Sequence, residues 1–319
     1  MSVNSDKPMR WKTDIQNSVD FYNDWFISFA PKAFNEVRSS YSKTVIEMFQ
    51  ATGNLNQLGM EMLRRAPRSL MILRMSTAPP LARERLSGLS KVPKTFVEAM
   101  EEGKIPPRMI GETSSTYLER TLKTIDKLLD HDLMPWLKEE RVPTEIEVFR
   151  ASTTIADRLC GSLTDPIIRN EQEKRQLSAL RMWLETRGYR YLENGCKTKV
   201  ETMEPGTFAF RLNVMVDHSE GSTKVKIPVD CVIKKKGDGQ GSLPLLIEAK
   251  SAGDFTNVNK RRKEEAQKMQ QMRRTYGNNI EYVLFLCGYF DSGYLGYEAA
   301  EGIDWVWEHR IDDLKEFGL

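Results

Sequence analysis

Three side chains in the second half of the chain have the types and the spacing for metal-assisted hydrolysis. In IPVDCVIKKK, Asp230 follows Pro228-Val229 near the middle of an alternating stretch; in LPLLIEAK, Glu248 and Lys250 close the next stretch after a run of apolar residues. Successive side chains of a strand point to opposite faces, so Glu248 and Lys250 share one face and Ala249 takes the other. If the two strands pair through the loop at 237–242, Asp230 lies beside Glu248, and two carboxylates and one ammonium converge at one edge of a sheet. Carboxylates are hard oxygen ligands for Mg²⁺, an ion that keeps several waters and is held by one or two carboxylates plus substrate phosphate oxygens. The bound ion lowers the pKa of a coordinated water and neutralises charge on a phosphodiester transition state, while the lysine orients water and stabilises the same charge. A second ion, where one binds, is expected about 3.5–4 Å from the first. Glu248 and Lys250 alone would read as an ion pair at a strand end. Asp230 at the matching strand position turns the reading to catalysis.

The elements that must position these groups are legible between residues 167 and 290. IIRNEQEKRQLSALRMWLETRGY predicts a helix beginning after Asp165-Pro166, with Ile167, Ile168, Leu177, Leu180 and Leu184 toward a core and an end near Gly188. The period then switches to two. TFAFRLNVMV (207–216) and KVKIPVDCVIKKK (224–236) flank the turn-rich DHSEGS and predict a hairpin; LPLLIEAK (243–250) follows the glycine-rich 237–242. NVNKRRKEEAQKMQQMRRTYG predicts a charged helix stopped by Gly277-Asn278, and EYVLFLCGYF (281–290) an apolar strand. The order α-β-β-β-α-β describes a mixed α/β sheet with covering helices. From about 15 to 160 the pattern is helical, as in Val19, Tyr22, Phe26 and Phe29, and prolines such as Pro31, Pro67, Pro93, Pro135 and Pro143 mark turns between several helices. No strand-like alternation there requires a sheet. Two domains are expected, a helical one at 1–162 and an α/β one at 163–319.

Composition excludes several other chemistries. The 319 residues include 3 His and 4 Cys. Cys160, Cys196, Cys231 and Cys287 are scattered without a C-x-x-C pair, and His131, His218 and His309 form no ligand pair, which disfavours zinc sites, histidine metallohydrolases and HNH-type nucleases. Asp130-His131-Asp132 reads as a cap or exposed turn. Ser-His-Asp or Cys-His catalysis has no support, and GDGQG is too short and wrongly placed to cradle a phosphate. No window has the length and apolarity of a membrane span, and MSVNSDKPMRWK lacks the apolar core of a signal peptide, so a cytoplasmic protein is expected. With 47 Lys+Arg against 45 Asp+Glu, net charge announces no partner, and any nucleic-acid surface must be a local patch.

Asp230, the seventeen residues after it and Glu248-Ala249-Lys250, set within α-β-β-β-α-β, resemble the PD-(D/E)XK nuclease superfamily, with Pro-Val-Asp standing where many members have Pro-Asp. Longer stretches, at 20–34, 165–177, 248–268 and 293–314, resemble the XamI family of type II restriction endonucleases. The resemblance spans both halves of the chain. It implies a Mg²⁺-dependent enzyme that recognises a short sequence in double-stranded DNA and cuts both strands, leaving 5′-phosphate and 3′-hydroxyl ends, and that belongs with a matching DNA methyltransferase in a restriction-modification system. It carries Asp230 and Glu248 over as metal ligands and Lys250 as the catalytic lysine. Related nucleases often add a glutamate from the helix before the first strand, for which Glu173 is the candidate and Glu171 its less favoured neighbour; a solvated helix face is the competing reading.

The helix after the motif holds Lys260, Arg261, Arg262, Lys263, Lys268, Arg273 and Arg274, relieved by Glu264 and Glu265. Charge runs on helices are usually solvated faces. Directly after the catalytic strand, however, this one is expected to meet DNA through Lys260, Arg261, Arg262 and Lys263, with Arg261 and Arg262 on phosphates or guanine edges and Asn257 and Asn259 able to read adenine. Lys234, Lys235 and Lys236 approach DNA or keep a strand edge soluble. Trp305 and Trp307 alternate as in a strand and are expected to pack. A palindromic site is cut most simply by a two-fold homodimer, and the helical half would enclose DNA or form that dimer. Two rivals stand beside this reading: another nuclease of the superfamily acting in repair or on branched DNA, and a DNA-binding protein whose site has decayed.

Overall fold

The stretches read as strands form one mixed sheet. The computed structural model describes residues 2–109, 111–193, 199–217, 224–239, 241–255 and 258–319, with the backbone alone at 201 and 258–262. Two units divide the chain, one of Met1–Phe29 with Arg169–Leu319, the other of Ala30–Ile168.

The second unit is helical. It takes the second half of α1 (Pro8–Ala51), then α2 (Met60–Arg65), α3 (Ser69–Met75), α4 (Arg83–Ser90), α5 (Lys94–Glu101), a two-residue antiparallel pair β1 (Arg108–Met109) and β2 (Glu112–Thr113), α6 (Ser114–Asp126), α7 (Pro135–Lys138) and the first part of α8 (Glu145–Glu185). Its core gathers Phe49, Leu63, Leu70, Phe96, Trp136, Ile155 and Leu159. Two expectations differ here. Pro31 lies inside α1 and Pro166 inside α8, so neither ends a helix. A proline in a helix forfeits one main-chain bond and bends the chain, a cost that flanks packed on both sides can offset. Arg74 of α3 is buried and pairs with Glu101 at 2.6 Å.

The first unit is the sheet. Its strands are β3 (Arg190–Tyr191), β4 (Thr207–Asp217), β5 (Lys224–Lys234), β6 (Leu245–Ala252), β7 (Glu281–Gly288) and β8 (Asp304–Trp307), in that spatial order. β4, β5 and β6 are successively antiparallel; β6, β7 and β8 run parallel, joined by α9 (Val258–Tyr276) and α10 (Ser292–Ala300). The expected order is thus present as α8-β4-β5-β6-α9-β7, with β3 and β8 added at the edges. Leu177, Leu180 and Leu184 of α8 cover one face over Cys231, Ile233, Leu245, Ile247 and Phe285. Met269 and Met272 of α9, Leu295 of α10 and, at the start of α1, Trp11 and Ile15 cover the other over Leu212, Leu246, Leu284, Trp305 and Trp307. β7 is buried on both sides, which is why its sequence is apolar without alternation.

One irregularity shapes the site. The β4–β5 ladder pairs Phe210 with Cys231 and Leu212 with Val229, but Arg211 and Asp230 between them are unpaired, and Arg211 has φ +52°. Ala209 and Val232 face the α9 side, and so do Leu212 and Val229, so the alternation of both strands resets at this step. Asp230 therefore sits at a kink.

Candidate active site

β5 and β6 pair from Ile233↔Leu245 to Cys231↔Ile247 and no further. The next residues in register are Asp230 and Glu248. Instead of a main-chain bond, the Ala249 N–H donates to Asp230 Oδ2 at 2.8 Å. The carboxylate thus closes the ladder where the strands part. Glu248 is 4% exposed. Its Oε1 accepts from Lys250 Nζ at 3.0 Å and from Lys268 Nζ of α9, while its Oε2 is buried without a hydrogen-bond partner among the described residues. Lys250 Nζ also lies 2.9 Å from Glu265 Oε1; Glu265, fully buried, takes the Tyr282 hydroxyl on Oε2.

Burial, and after it the charge of Glu248, pushes the Asp230 carboxyl up to about 6, against the Ala249 N–H and the two lysines. Burial alone would lower the Lys250 ammonium, but Glu248 and Glu265 outweigh it and hold that group above its ordinary value. Burial, then Glu265 and Glu248, raise the Tyr282 phenol well above its usual range, so it remains a donor. Asp230, Glu248 and Lys250 open onto a cleft of about 340 Å³ bordered by Arg169, Gln172, Glu173 and Gln176 of α8 and by Glu264 of α9. Gln176 ties the α8 side down by donating to the Phe285 carbonyl at 3.2 Å.

Asp230, Glu248 and Lys250 are therefore brought together. Glu173 lines the same cleft, but its Oε1 accepts two bonds from Arg211, at 2.7 and 3.1 Å. Glu171 pairs with Lys174. Asn257 lies outside the described residues; Asn259, Lys260, Arg261 and Arg262 lie on the first turns of α9 with side chains outside the description, and Lys263 is exposed. Lys234 is buried on Ser242, Lys235 pairs with Glu281, and Lys236 donates to the Arg187 carbonyl, so all three are engaged within the fold. Asp130 caps a turn, as expected, by accepting from the Leu133 N–H at 3.0 Å. Trp305 and Trp307 are fully buried on β8.

From sequence alone Glu265 has no place in the site and Lys268 belongs to a helix expected to face DNA. The signal was there: Glu265 is four residues before Met269, and Lys268 four before Met272, so both continue the inward apolar row of α9.

Among the described residues no group of three His, Cys, Asp or Glu side chains could hold a metal ion. At the strand divergence the cleft offers the Asp230 and Glu248 carboxylates, with Glu173 and Glu264 on its border, and a buried oxygen, Glu248 Oε2, that has no hydrogen-bond partner among the described residues. That donor set suits a hard divalent cation that keeps most of its waters.

A mixed sheet with paired carboxylates and a lysine at a strand divergence is consistent with a nuclease core. The model of the family described as XamI restriction endonuclease matches residues 53–307, a span that contains every group of the cleft. The chain belongs to the XamI restriction endonuclease family. Type II restriction enzyme SalI of Streptomyces albus G is 51% identical to it over 318 residues, 99% of each chain. No solved structure matches. The expectation of a restriction enzyme is met.

Proposed function

We propose that this enzyme cuts both strands of duplex DNA at a short recognition sequence by Mg²⁺-dependent phosphodiester hydrolysis, on a PD-(D/E)XK core formed by α8-β4-β5-β6-α9-β7. The observation that carries the proposal is the meeting of Asp230, Glu248 and Lys250 in one cleft, with Glu248 Oε2 left without a hydrogen-bond partner among the described residues. Asp230 and Glu248 would hold the ion, and Glu173 is the candidate for a further ligand from α8. Bound Mg²⁺ would supply charge neutralisation and a water of lowered pKa. Lys250, fixed between Glu248 and Glu265, directs its ammonium at the attacking water and the phosphoryl oxygens. Water oxygen bonds to phosphorus, the bond to the 3′ oxygen breaks, and a water proton ends on that oxygen. The products are a 5′-phosphate and a 3′-hydroxyl.

In this reading Asn257, Asn259, Lys260, Arg261, Arg262 and Lys263, which follow β6 closely in sequence, meet DNA engaged at the cleft, since arginines and asparagines suit phosphates and base edges. In this reading the helical domain at 1–162 encloses DNA or forms a homodimer, the enzyme works in the cytoplasm beside a cognate methyltransferase, and two-fold symmetry serves a palindromic site. No helix among the described residues is long and apolar enough to cross a membrane.

The test is digestion of a plasmid with Mg²⁺ and sequencing of the ends. Discrete fragments with one common end sequence are expected. Cutting confined to branched or damaged DNA would replace this reading with a repair or structure-selective nuclease, and no cutting with a DNA-binding protein. Sedimentation of the protein with and without a cognate duplex tests the dimer.

A further inference from the structure

Three carboxylates, Asp230, Glu248 and Glu265, share this end of the sheet with two ammonium groups, Lys250 and Lys268. The two lysines are not equivalent. Lys250 stands between Glu248 at 3.0 Å and Glu265 at 2.9 Å, and Glu265 is itself fixed by the Tyr282 hydroxyl. Lys268 comes from α9 to the same oxygen, Glu248 Oε1, and its side chain keeps 24% exposure. Lys250, 19% exposed, is held from two sides; Lys268 has one carboxylate within salt-bridge reach.

A buried carboxylate stripped of its counter-charge is strongly destabilising, and Glu248 has the Asp230 carboxylate beside it as well. Some cation must therefore attend Glu248 before a metal does. A divalent ion arriving at Asp230 and Glu248 brings two more positive charges against both lysines. Lys250 retains Glu265 if its hold on Glu248 weakens. Among the described residues Lys268 makes its one salt bridge with Glu248, and without a second it can turn outward.

We propose that Lys268 is the resident counter-cation of Glu248 in the metal-free enzyme and gives up that carboxylate when a divalent cation binds, so that the lysine competes with the metal. The proposal rests on the reading of Asp230 and Glu248 as metal ligands. Competition between two cations for one carboxylate is a coupling between two binding events, and such couplings are commonly about 5- to 150-fold.

The experiment titrates the full-length protein with Mn²⁺ alone, without DNA, by calorimetry and by thermal unfolding. Lys268→Met is expected to bind Mn²⁺ about tenfold more tightly than the parent, to melt lower than the parent in chelator, and to regain the difference when Mn²⁺ is added. Lys268→Arg, which keeps the charge, is expected to restore the parent affinity. Lys268→Gln gives the same gain as Met and serves if the Met variant does not fold. A lysine that stays in place as part of the loaded site predicts the reverse, so unchanged or weaker Mn²⁺ binding in both neutral variants overturns the proposal. Asp230→Asn separates the two levels. If the parent does not bind Mn²⁺, or Asp230→Asn binds it equally well, the ligand reading fails; if Asp230→Asn loses binding and the neutral Lys268 variants show no gain, only the counter-cation role fails.

Discussion

Asp230 Oδ2 accepts the Ala249 N–H at 2.8 Å, so the carboxylate expected to bind metal also closes the β5–β6 ladder. An asparagine oxygen can accept the same bond, which lets charge and geometry be separated. The folded-state value of about 6 lies above the ordinary carboxylate value near 3.9. The sign follows: the protonated group favours the fold fully below pH 4, and that contribution is lost as pH rises through about 6. Without metal, Asp230→Asn should therefore be more stable than the parent at pH 8, by about 1–2 kcal/mol, with the gain vanishing below pH 4. Cleavage should fall by about a thousandfold. Urea unfolding in chelator at the two pH values checks this, and a variant less stable than the parent at pH 8 contradicts it.

Lys250 and Glu265 make a second separable pair. Lys250→Ala removes the ammonium and should lower single-turnover cleavage by about 10²–10³-fold. Glu265→Gln keeps an acceptor for Tyr282 but loosens the hold on Lys250, and should lower the rate about tenfold while leaving the pH profile and metal affinity close to the parent's. Tyr282→Phe leaves Glu265 Oε2 without its donor and should cost about 1–3 kcal/mol of stability. A Glu265→Gln enzyme that cleaves at the parent rate would show that Lys250 needs no second carboxylate.

Residues 230, 248 and 250 could be found because strand alternation and a short connecting loop fix neighbours that are close in sequence. Glu265 and Lys268 were not, since a helix adjacent to basic residues looks solvated until one knows which row faces the sheet. The N-terminus shows the same limit. Asp304 accepts main-chain N–H groups of Asn4 and Ser5, each at 3.0 Å, and Asn4 donates to the Trp305 carbonyl at 2.8 Å, contacts some three hundred residues apart that no local period encodes. The kink at Arg211 and Asp230 also had no signal. Arginine is an unusual residue at φ +52°, and neither glycine nor asparagine marks the position.

That kink makes a prediction about Arg211. Both Arg211→Gly and Arg211→Val remove the guanidinium and its pair with Glu173, so any loss of phosphate contact is common to the two. Glycine adopts the left-handed conformation freely, whereas valine strongly resists it. If the paired kink sets the position of Asp230, the glycine variant keeps more cleavage than the valine variant, and it is also the more stable by about 1–2 kcal/mol. Equal cleavage by the two would separate the backbone at 211 from the site. Glu173→Ala measured alongside them reports directly on the proposed further ligand, since loss of Mn²⁺ affinity is expected only if Glu173 leaves Arg211 for the ion.

The helical unit offers a pH dependence of opposite sign. Asp130 Oδ1 accepts the Leu133 N–H at 3.0 Å and Oδ2 accepts Arg158 at 2.8 Å, while Arg158 also donates to the Met75 carbonyl at 3.1 Å and the Asp130 N–H donates to Ser76. Burial would raise this carboxyl, but Arg158 and the Leu133 N–H prevail and leave it below its usual value. A depressed folded-state value stabilises the fold above the unfolded value near 3.9 and loses that contribution as pH falls through the folded one. Asp130→Asn keeps an acceptor for Leu133 but leaves Arg158 without its counter-charge, and should cost about 1.5–3 kcal/mol at pH 7. Between pH 6 and pH 3 the gap to the parent should narrow, because the unfolded chain takes up the proton at its ordinary pKa while the folded carboxylate still resists it. Unfolding at fixed ionic strength across that range tests it: a gap that stays constant would mean that the loss comes from packing of the amide and not from the Arg158 pair.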